Sequence, residues 1–322
     1  MSCGSGESGR TIFVAVAVDD SYIIPLLVML RSACRHLSIG WRLEVFVLGF
    51  RISGESRHRL ELGLGGLPVS LHWQTLDLSA VEKYWPGIQE ESDITCYYRL
   101  FLGSALPEWM ERVLFLDADL LVEGDLSALW NLSFDGCIVQ AVPDAYARTF
   151  HTRRLSAIRF SEGVSFAAGT PYFNAGVQLI DLLRWREERI GESAGAFLWK
   201  YGRELTGRDQ DALNCALAGR WKALPSTWNL QELPDRPDTW EDGGASTGEV
   251  REAVRRPAII HFVGWKPWSR RWRPLRHQRW WDEARRAGVP PVRRPWGVVI
   301  WEALVWRPRM RLKWHLHRRQ WR

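Results

Sequence analysis

An apolar run from Arg112 to Val122 carries two carboxylates, Asp117 and Asp119, near its middle. Side chains two apart in extended backbone project to the same side, so this pair can converge on one small target. Carboxylates held that close repel each other and stay ionised together only when a cation neutralises them. A hard divalent metal ion is the simplest such cation. An acidic turn after a core strand is the plain alternative. Asp19-Asp20 closes another apolar run, Asn174-Ala175-Gly176 interrupts a third, Asp209-Gln210-Asp211 opens a helical pattern, and His261 sits in a short apolar segment. Standing alone, Asp209 and Asp211 read as caps facing the positive end of a helix.

The elements that must position these groups follow from hydrophobic periodicity. Thr11 to Val18 is apolar and β-branched, a strand buried on both faces that opens into the polar Asp19-Tyr22 loop. Ile23 to Leu37 has helical spacing with Pro25 in the first turn, where proline is tolerated. Leu43 to Leu48 is a second strand, Ser53 to Leu64 a helix with a serine cap, and Val69 to Leu76 a third strand. Thr95 to Leu106 reads as a helix leading into the run over 112–122, itself read as a strand buried on both faces, and Cys137 to Val142 as a further strand. Residues 144–170 lack a clean period and read as a surface excursion or lid. Tyr172 to Ile180 is apolar around the Asn-Ala-Gly break, where backbone can approach a ligand closely. Helices follow over 181–190, 192–201 and 208–218, then a Pro/Asp/Gly/Ser-rich loop over 234–248. Ala258 to Val263 is a short strand, and a last helix spans 280–287. Strands alternating with helices predict an α/β fold with a mostly parallel sheet flanked by helices. Ligands of such sheets bind beyond the carboxyl ends of the strands, which is where Asp19 and Asp117/Asp119 fall.

The 322 residues suffice for one large core or two modest ones. Five scattered cysteines with no C-x-x-C pair favour reduced thiols over a disulfide framework or a zinc site. Residues 1–10 form a Ser/Gly-rich lead-in without the apolar core of a secretion signal, and no apolar run reaches the ~20 residues of a membrane span. The chain is therefore expected in the cytoplasm. Its net charge of +6 conceals a split: residues 251–322 hold 20 Lys/Arg against 4 Asp/Glu, a net of +16, which leaves −10 on residues 1–250. An acidic body with a basic end suggests a catalytic part tethered to an anionic surface.

Six stretches, in order, resemble the retaining glycosyltransferases of family 8, the group containing bacterial lipooligosaccharide α-galactosyltransferases and glycogenin. They are Ala15 to Tyr22, Tyr98-Arg99-Leu100, Phe115 to Asp119, Tyr172 to Val177, Asp209 to Asn214, and His261 to Trp268. The resemblance spans about residues 11–290. It implies a Rossmann-like fold of the glycosyltransferase A type, with a catalytic domain over 11–270 and a basic Trp/Arg-rich helical appendage over 271–322. The implied reaction is hexose transfer, galactose or glucose, from a UDP-sugar with retention of configuration.

The resemblance also implies roles. Asp117, Asp119 and His261 match the ligands of Mn2+, with Mg2+ as the alternative ion; a neutral imidazole and two carboxylates suit Mn2+. Asp19 and Tyr22 match residues holding the uracil, and Ala17 a neighbouring backbone contact. Arg99, Asn174 and Ala175 match contacts to the donor sugar or its phosphates. Gly264 and Lys266 match the groups gripping the β-phosphate, although only Trp265 separates them where the family commonly has two residues. Asp209 matches a donor-sugar contact and Gln210 the residue near the anomeric carbon. An amide is a poor nucleophile, so front-side substitution is the expected route to retention.

The tryptophans and arginines of 301–322 suit an anionic bilayer interface, with a lipid-linked saccharide as the acceptor and a peripheral place on the inner face of the cell membrane. A solvated basic tail is the alternative. The same residues could stack on single-stranded nucleic acid. Confinement of the basic residues to one end, without an RRM, KH or helix-turn-helix pattern, argues against nucleic acid as a partner. Metal-bound carboxylates also serve sugar-nucleotide hydrolases and nucleotidyltransferases, but the Asn-Ala-Gly and Asp-Gln-Asp stretches favour sugar transfer.

Overall fold

The computed structural model describes residues 10–76, 82, 94–158, 165–231, 247–264, 266–269 and 276–290. Its first strand, β1 (Arg10–Asp19), alternates faces along its length. Val14, Val16 and Val18 enter one apolar cluster, and Ala15 and Ala17 pack with the other. Leu114 and Leu116 divide from Val113 and Phe115 in the same way on β4 (Arg112–Leu116). Period-two alternation between two buried faces is what a sheet covered on both sides demands.

Seven strands make the main sheet, in the order β3-β2-β1-β4-β7-β6-β8. Besides β1 and β4 these are β2 (Trp41–Phe50), β3 (Val69–Gln74), β6 (Val139–Pro143), β7 (Phe173–Asp181) and β8 (Trp221–Ala223). All pairings are parallel except the two made by β7, which runs against β4 and β6. The α/β expectation with a mostly parallel sheet is met. The reversed β7 brings its amino end, Phe173 to Gly176, to the edge where β4 finishes.

A second sheet, order β5-β10-β9, joins β5 (Leu120–Val122), β10 (Ile259–His261) and β9 (Leu230–Gln231). Only Asp117-Ala118-Asp119 separates β4 from β5, so the two acids form the hinge between the sheets. The apolar run over 112–122 is therefore two short strands rather than one.

Helices α1 (Ile23–His36) and α2 (Gly54–Leu64) cover one face, and the side chain of Ser53 caps α2 by accepting the Ser56 N–H. The segment expected to be a helix over 95–106 is a 3-10 helix, Ile94–Phe101, running into the single turn α3 (Leu102–Ala105). A short helix α4 (Leu126–Trp130) follows β5, with Asp125 as its cap. The opposite face is covered by that 3-10 helix, α5 (Leu182–Glu187), α6 (Ile190–Tyr201) and α7 (Arg208–Ala216). Helix α8 (Thr247–Arg255) precedes β10 and begins at the last two residues of the loop expected over 234–248. Helix α9 (His277–Arg286) buries Trp280, Trp281 and Ala284 in the cluster that holds α1, and Glu283 pairs with Arg35 of α1 at 2.7 Å. Trp281 Nε1 donates to Pro267 O (2.9 Å), so α9 also braces the segment after β10. The excursion over 144–170 is partly buried through Phe150 and Leu155 in its described residues. Most of the 234–248 loop and all of 301–322 lie outside the described residues.

Among the described residues no helix is long and apolar enough to cross a membrane. Cys34, Cys96, Cys137 and Cys215 are free thiols, and burial pushes Cys96 and Cys215 well above the ordinary thiol range.

Candidate active site

The hinge is pinned by backbone on both sides. Asp117 N–H donates to Gly176 O of β7 (2.9 Å), and Phe262 N–H donates to Asp119 O (3.1 Å). The register His261↔Leu120 sets the imidazole of β10 beside the acids. One ligand atom from each of Asp117, Asp119 and His261 lies within 4.8 Å of the others. His261 Nε2 is 3.3 Å from Asp119 Oδ1 and 3.7 Å from Asp117 Oδ2. Buried Asp119 Oδ1 accepts no hydrogen bond. An orphaned buried oxygen beside a second carboxylate and an imidazole nitrogen is the donor set a divalent cation completes. Burial works against the charged form of Asp119, but the ammonium of Lys266, bonded to Asp119 Oδ2, and the imidazole of His261 together outweigh it and hold the carboxyl below its ordinary range. Lys266 Nζ also donates to Phe262 O (2.7 Å).

Gly176 makes room for this group. A Cβ there would lie 2.2 Å from His261 Cε1, 2.7 Å from Nδ1 and 2.9 Å from Asp117 Oδ2, so no other residue fits without displacing the triad.

Arg99 ties the hinge to helix α7. Its guanidinium donates to Asp117 Oδ1 (2.8 Å), reaches Asp209 Oδ2 from Nε (2.9 Å), and donates to Ala175 O. In the structure this buried side chain is therefore an organiser of two carboxylates. Burial raises Asp209 to about 6; Arg99 pulls it down and the Asp117 charge pushes it up.

Gln210 is held from both ends. Its Oε1 accepts from Ala175 N–H (3.0 Å) and Asn174 Nδ2 (3.2 Å), and its Nε2 donates to Asp144 Oδ2 (3.1 Å) and Tyr172 OH (3.0 Å). Tyr172 in turn donates to Asp211 Oδ1 (2.6 Å). Burial keeps Tyr172 protonated by raising it well above its ordinary value. Asp211 also accepts from Arg153 Nε (2.7 Å) and Gly207 N–H (2.6 Å). It anchors the excursion to the start of α7 and is more than a helix cap.

At the end of β1, Asp19 Oδ1 accepts from Ser21 N–H (2.9 Å) and closes the Asp20–Tyr22 turn. The Tyr22 ring meets Trp268 edge-on at 5.7 Å. The β1–β4 register, Ala15↔Phe115, sets Asp19 and Asp119 equally far past paired residues. Ala17 is half-buried and packs against the cluster beneath that end. Gly264 is exposed, with open space where a Cβ would stand. Hydrogen bonds and ion pairs thus bring together Asp117, Asp119, His261, Lys266, Arg99, Asp209, Gln210, Asn174 and Ala175. Ala17 and Asp19 lie at the end of β1, Tyr22 in the turn that follows it and Gly264 just past β10.

Sequence reasoning assigned no role to Asp144, Asn229 or Tyr172. Asp144 follows β6 and Asn229 ends a 3-10 turn before β9, and neither carries a local pattern that marks it. For Tyr172 a signal did exist, since it opens the Asn-Ala-Gly stretch.

A family model described as glycosyl transferase family 8 matches residues 13–271. General stress protein A of Bacillus subtilis strain 168 is 29% identical over 265 residues, covering 80% of this chain and 87% of that protein. The lipopolysaccharide 1,2-glucosyltransferase of Escherichia coli K12 is 28% identical over 180 residues, 54% of this chain and 49% of its own length. The crystal structure of the galactosyltransferase LgtC with donor and acceptor sugar analogs matches with a TM-score of 0.67 at 24% identity, covering 91% of this chain and 99% of LgtC. That likeness establishes the fold.

Proposed function

The chain belongs to glycosyltransferase family 8, and from that premise we propose that it moves a hexose, galactose or glucose, from a UDP-sugar to a saccharide acceptor with retention of configuration. The observation that carries the reading is the Asp117, Asp119 and His261 group, within 4.8 Å, at the carboxyl end of β4 and joined through Arg99 to Asp209. These three residues would hold Mn2+, or Mg2+ as the alternative, which supplies positive charge against the departing diphosphate.

The chain's own groups would do the rest. Asp19 and Tyr22 receive the uracil, with Ala17 beneath it. Lys266 and the backbone at Gly264 bind the β-phosphate, a charge-assisted contact that grows as UDP leaves. Asn174, Ala175 and Asp209 line the sugar. Gln210 is unsuited to be a nucleophile: an amide oxygen is a weak one, and both lone-pair directions of Oε1 are filled by donors. Front-side substitution therefore fits better. The acceptor oxygen bonds to the anomeric carbon on the face that the UDP oxygen leaves, and the acceptor proton passes to that phosphate oxygen. A glycosyl adduct trapped on Gln210 or Asp209 would overturn this route.

The acceptor is proposed to be a lipid-linked saccharide, reached from an anionic membrane surface through 301–322. The names of the Escherichia coli enzyme and of LgtC support hexose chemistry on glycans. The test is a panel of UDP-sugars with Mn2+, following UDP release with and without saccharide acceptors. Acceptor-dependent release supports transfer and names the sugar; release at the same rate without acceptor makes the protein a sugar-nucleotide hydrolase. Pyrophosphate exchange in place of UDP release makes it a nucleotidyltransferase.

A further inference from the structure

His261 can serve a metal through Nε2 only if that nitrogen keeps its lone pair, which requires the proton to sit on Nδ1. The structure fixes this choice through amides whose orientation backbone donors dictate. Gly176 N–H can only donate, so the Asn174 atom it meets at 3.1 Å is Oδ1. Asn174 Nδ2 then faces two acceptors, Asp144 Oδ2 and Gln210 Oε1, each at 3.2 Å. Ala175 N–H independently fixes Gln210 Oε1 as an acceptor. Asn229 approaches Asn174 Oδ1 at 2.8 Å and must present Nδ2 there, since a flipped amide would set two oxygens face to face. Its Oδ1 therefore turns to His261 Nδ1 at 3.0 Å, and that contact requires an Nδ1–H.

The scaffold leaves Asn229 little freedom. It is fully buried and closes the Ser226–Asn229 turn, directly before β9, which pairs with β10 at His261↔Gln231. On the other side of the ring, Nε2 faces Asp119 Oδ1 at 3.3 Å and Asp117 Oδ2 at 3.7 Å, the two oxygens with which it would share a metal.

We propose that Asn229 is a positioning residue that locks His261 in the Nδ1–H tautomer and so prepares Nε2 to bind the metal. The proposal rests on reading Asp117, Asp119 and His261 as a metal site. It assigns Asn229 no contact with metal or sugar; it acts through His261, and through Asn174 it connects the metal ligand to Gln210.

The test uses the full chain. Metal-free protein labelled with 15N-histidine is studied by long-range proton–nitrogen correlation, and His261→Gln identifies the His261 signals among the eight histidines. The expected result is a protonated Nδ1 and an unprotonated Nε2. Mn2+ affinity is then measured calorimetrically. Asn229→Ala is expected to weaken Mn2+ binding about 10–100-fold, the usual effect of losing a group that orients a ligand. Asn229→Asp keeps an acceptor opposite Nδ1 but turns its second oxygen toward Asn174 Oδ1, so it is expected to keep the Nδ1–H signal and to recover only part of the Mn2+ affinity that the alanine variant loses. A wild-type His261 with its proton on Nε2 overturns the proposal without need of any variant. So does a folded Asn229→Ala protein with unchanged Mn2+ affinity. A wild type that shows the Nδ1–H tautomer yet binds no Mn2+ instead overturns the metal reading, and Asn229's role toward a metal with it.

Discussion

Asp209 is a carboxylate held where charge is costly. Burial is the leading influence that lifts it to about 6, against the pull of Arg99. The folded protein therefore binds a proton more readily than the unfolded chain between the ordinary Asp value and 6, and stability falls as pH rises through that window. Asp209→Asn is expected to raise the melting temperature at pH 8, by roughly 2–4 °C for each kcal/mol recovered. The gain should shrink as pH falls below about 6 and vanish near pH 4. The same change should cut transfer activity, since the residue lines the proposed sugar site, and thermal scans at both pH values beside UDP-release rates check both halves. Asp119 offers the complementary test. UDP with Mn2+ should raise the melting temperature of the wild type, and Asp119→Ala should abolish that shift. A shift that survives the substitution, or none in the wild type with any uridine nucleotide, would remove the donor assignment.

The hinge between β4 and β5 shows why the site needs the elements in this arrangement. Asp117 and Asp119 are two residues apart in the chain, but their third partner comes from β10 in another sheet, and Gly176 from the reversed strand β7 closes the group from below. Gly176→Ala should displace His261 or Asp117, lower the melting temperature by several degrees at the ~1–3 kcal/mol typical of overpacking, and weaken Mn2+ binding more than tenfold. Thermal scans with and without Mn2+ measure both. These elements differ in how far the sequence announced them. The strands β1, β2 and β4 and the helices α1 and α2 were legible because their apolar periods are set by faces they bury, and the acids at strand ends followed. The two- and three-residue strands β5, β9 and β10 were only partly visible, because so short a run has no period of its own and exists through its neighbours. Asp144 and Asn229 were invisible for a related reason: each works through one amide or carboxylate placed by tertiary contacts, with nothing local to mark it. Asp211 could be seen but was undervalued, since its helix-cap position hid the bonds to Arg153 and Tyr172.

Charge is distributed across the molecule so that its two ends would behave differently near a membrane. Residues 1–250 carry −10 and are repelled by an anionic leaflet, whereas residues 251–322 carry +16. Within the latter, 291–322 hold nine Lys/Arg against the single acid Glu302. At about 1 kcal/mol for each basic residue close to an anionic surface, engagement of even five gives reversible binding. The attraction reaches about one Debye length, ~8 Å at physiological salt and ~3 Å at 1 M, so it should fade steeply with ionic strength. Helix α9 belongs with the body by its packing, because Trp280 and Trp281 are buried and Trp281 braces the Lys266 segment. A chain ending after residue 290 should therefore keep UDP-sugar turnover on a soluble acceptor while losing co-sedimentation with phosphatidylglycerol vesicles. The full chain should sediment with those vesicles at low salt, release at high salt, and ignore vesicles of neutral phosphatidylcholine. Equal sedimentation of the two chains would place the membrane contact elsewhere. A shortened chain without turnover on the soluble acceptor would show that the basic end serves the catalytic body directly.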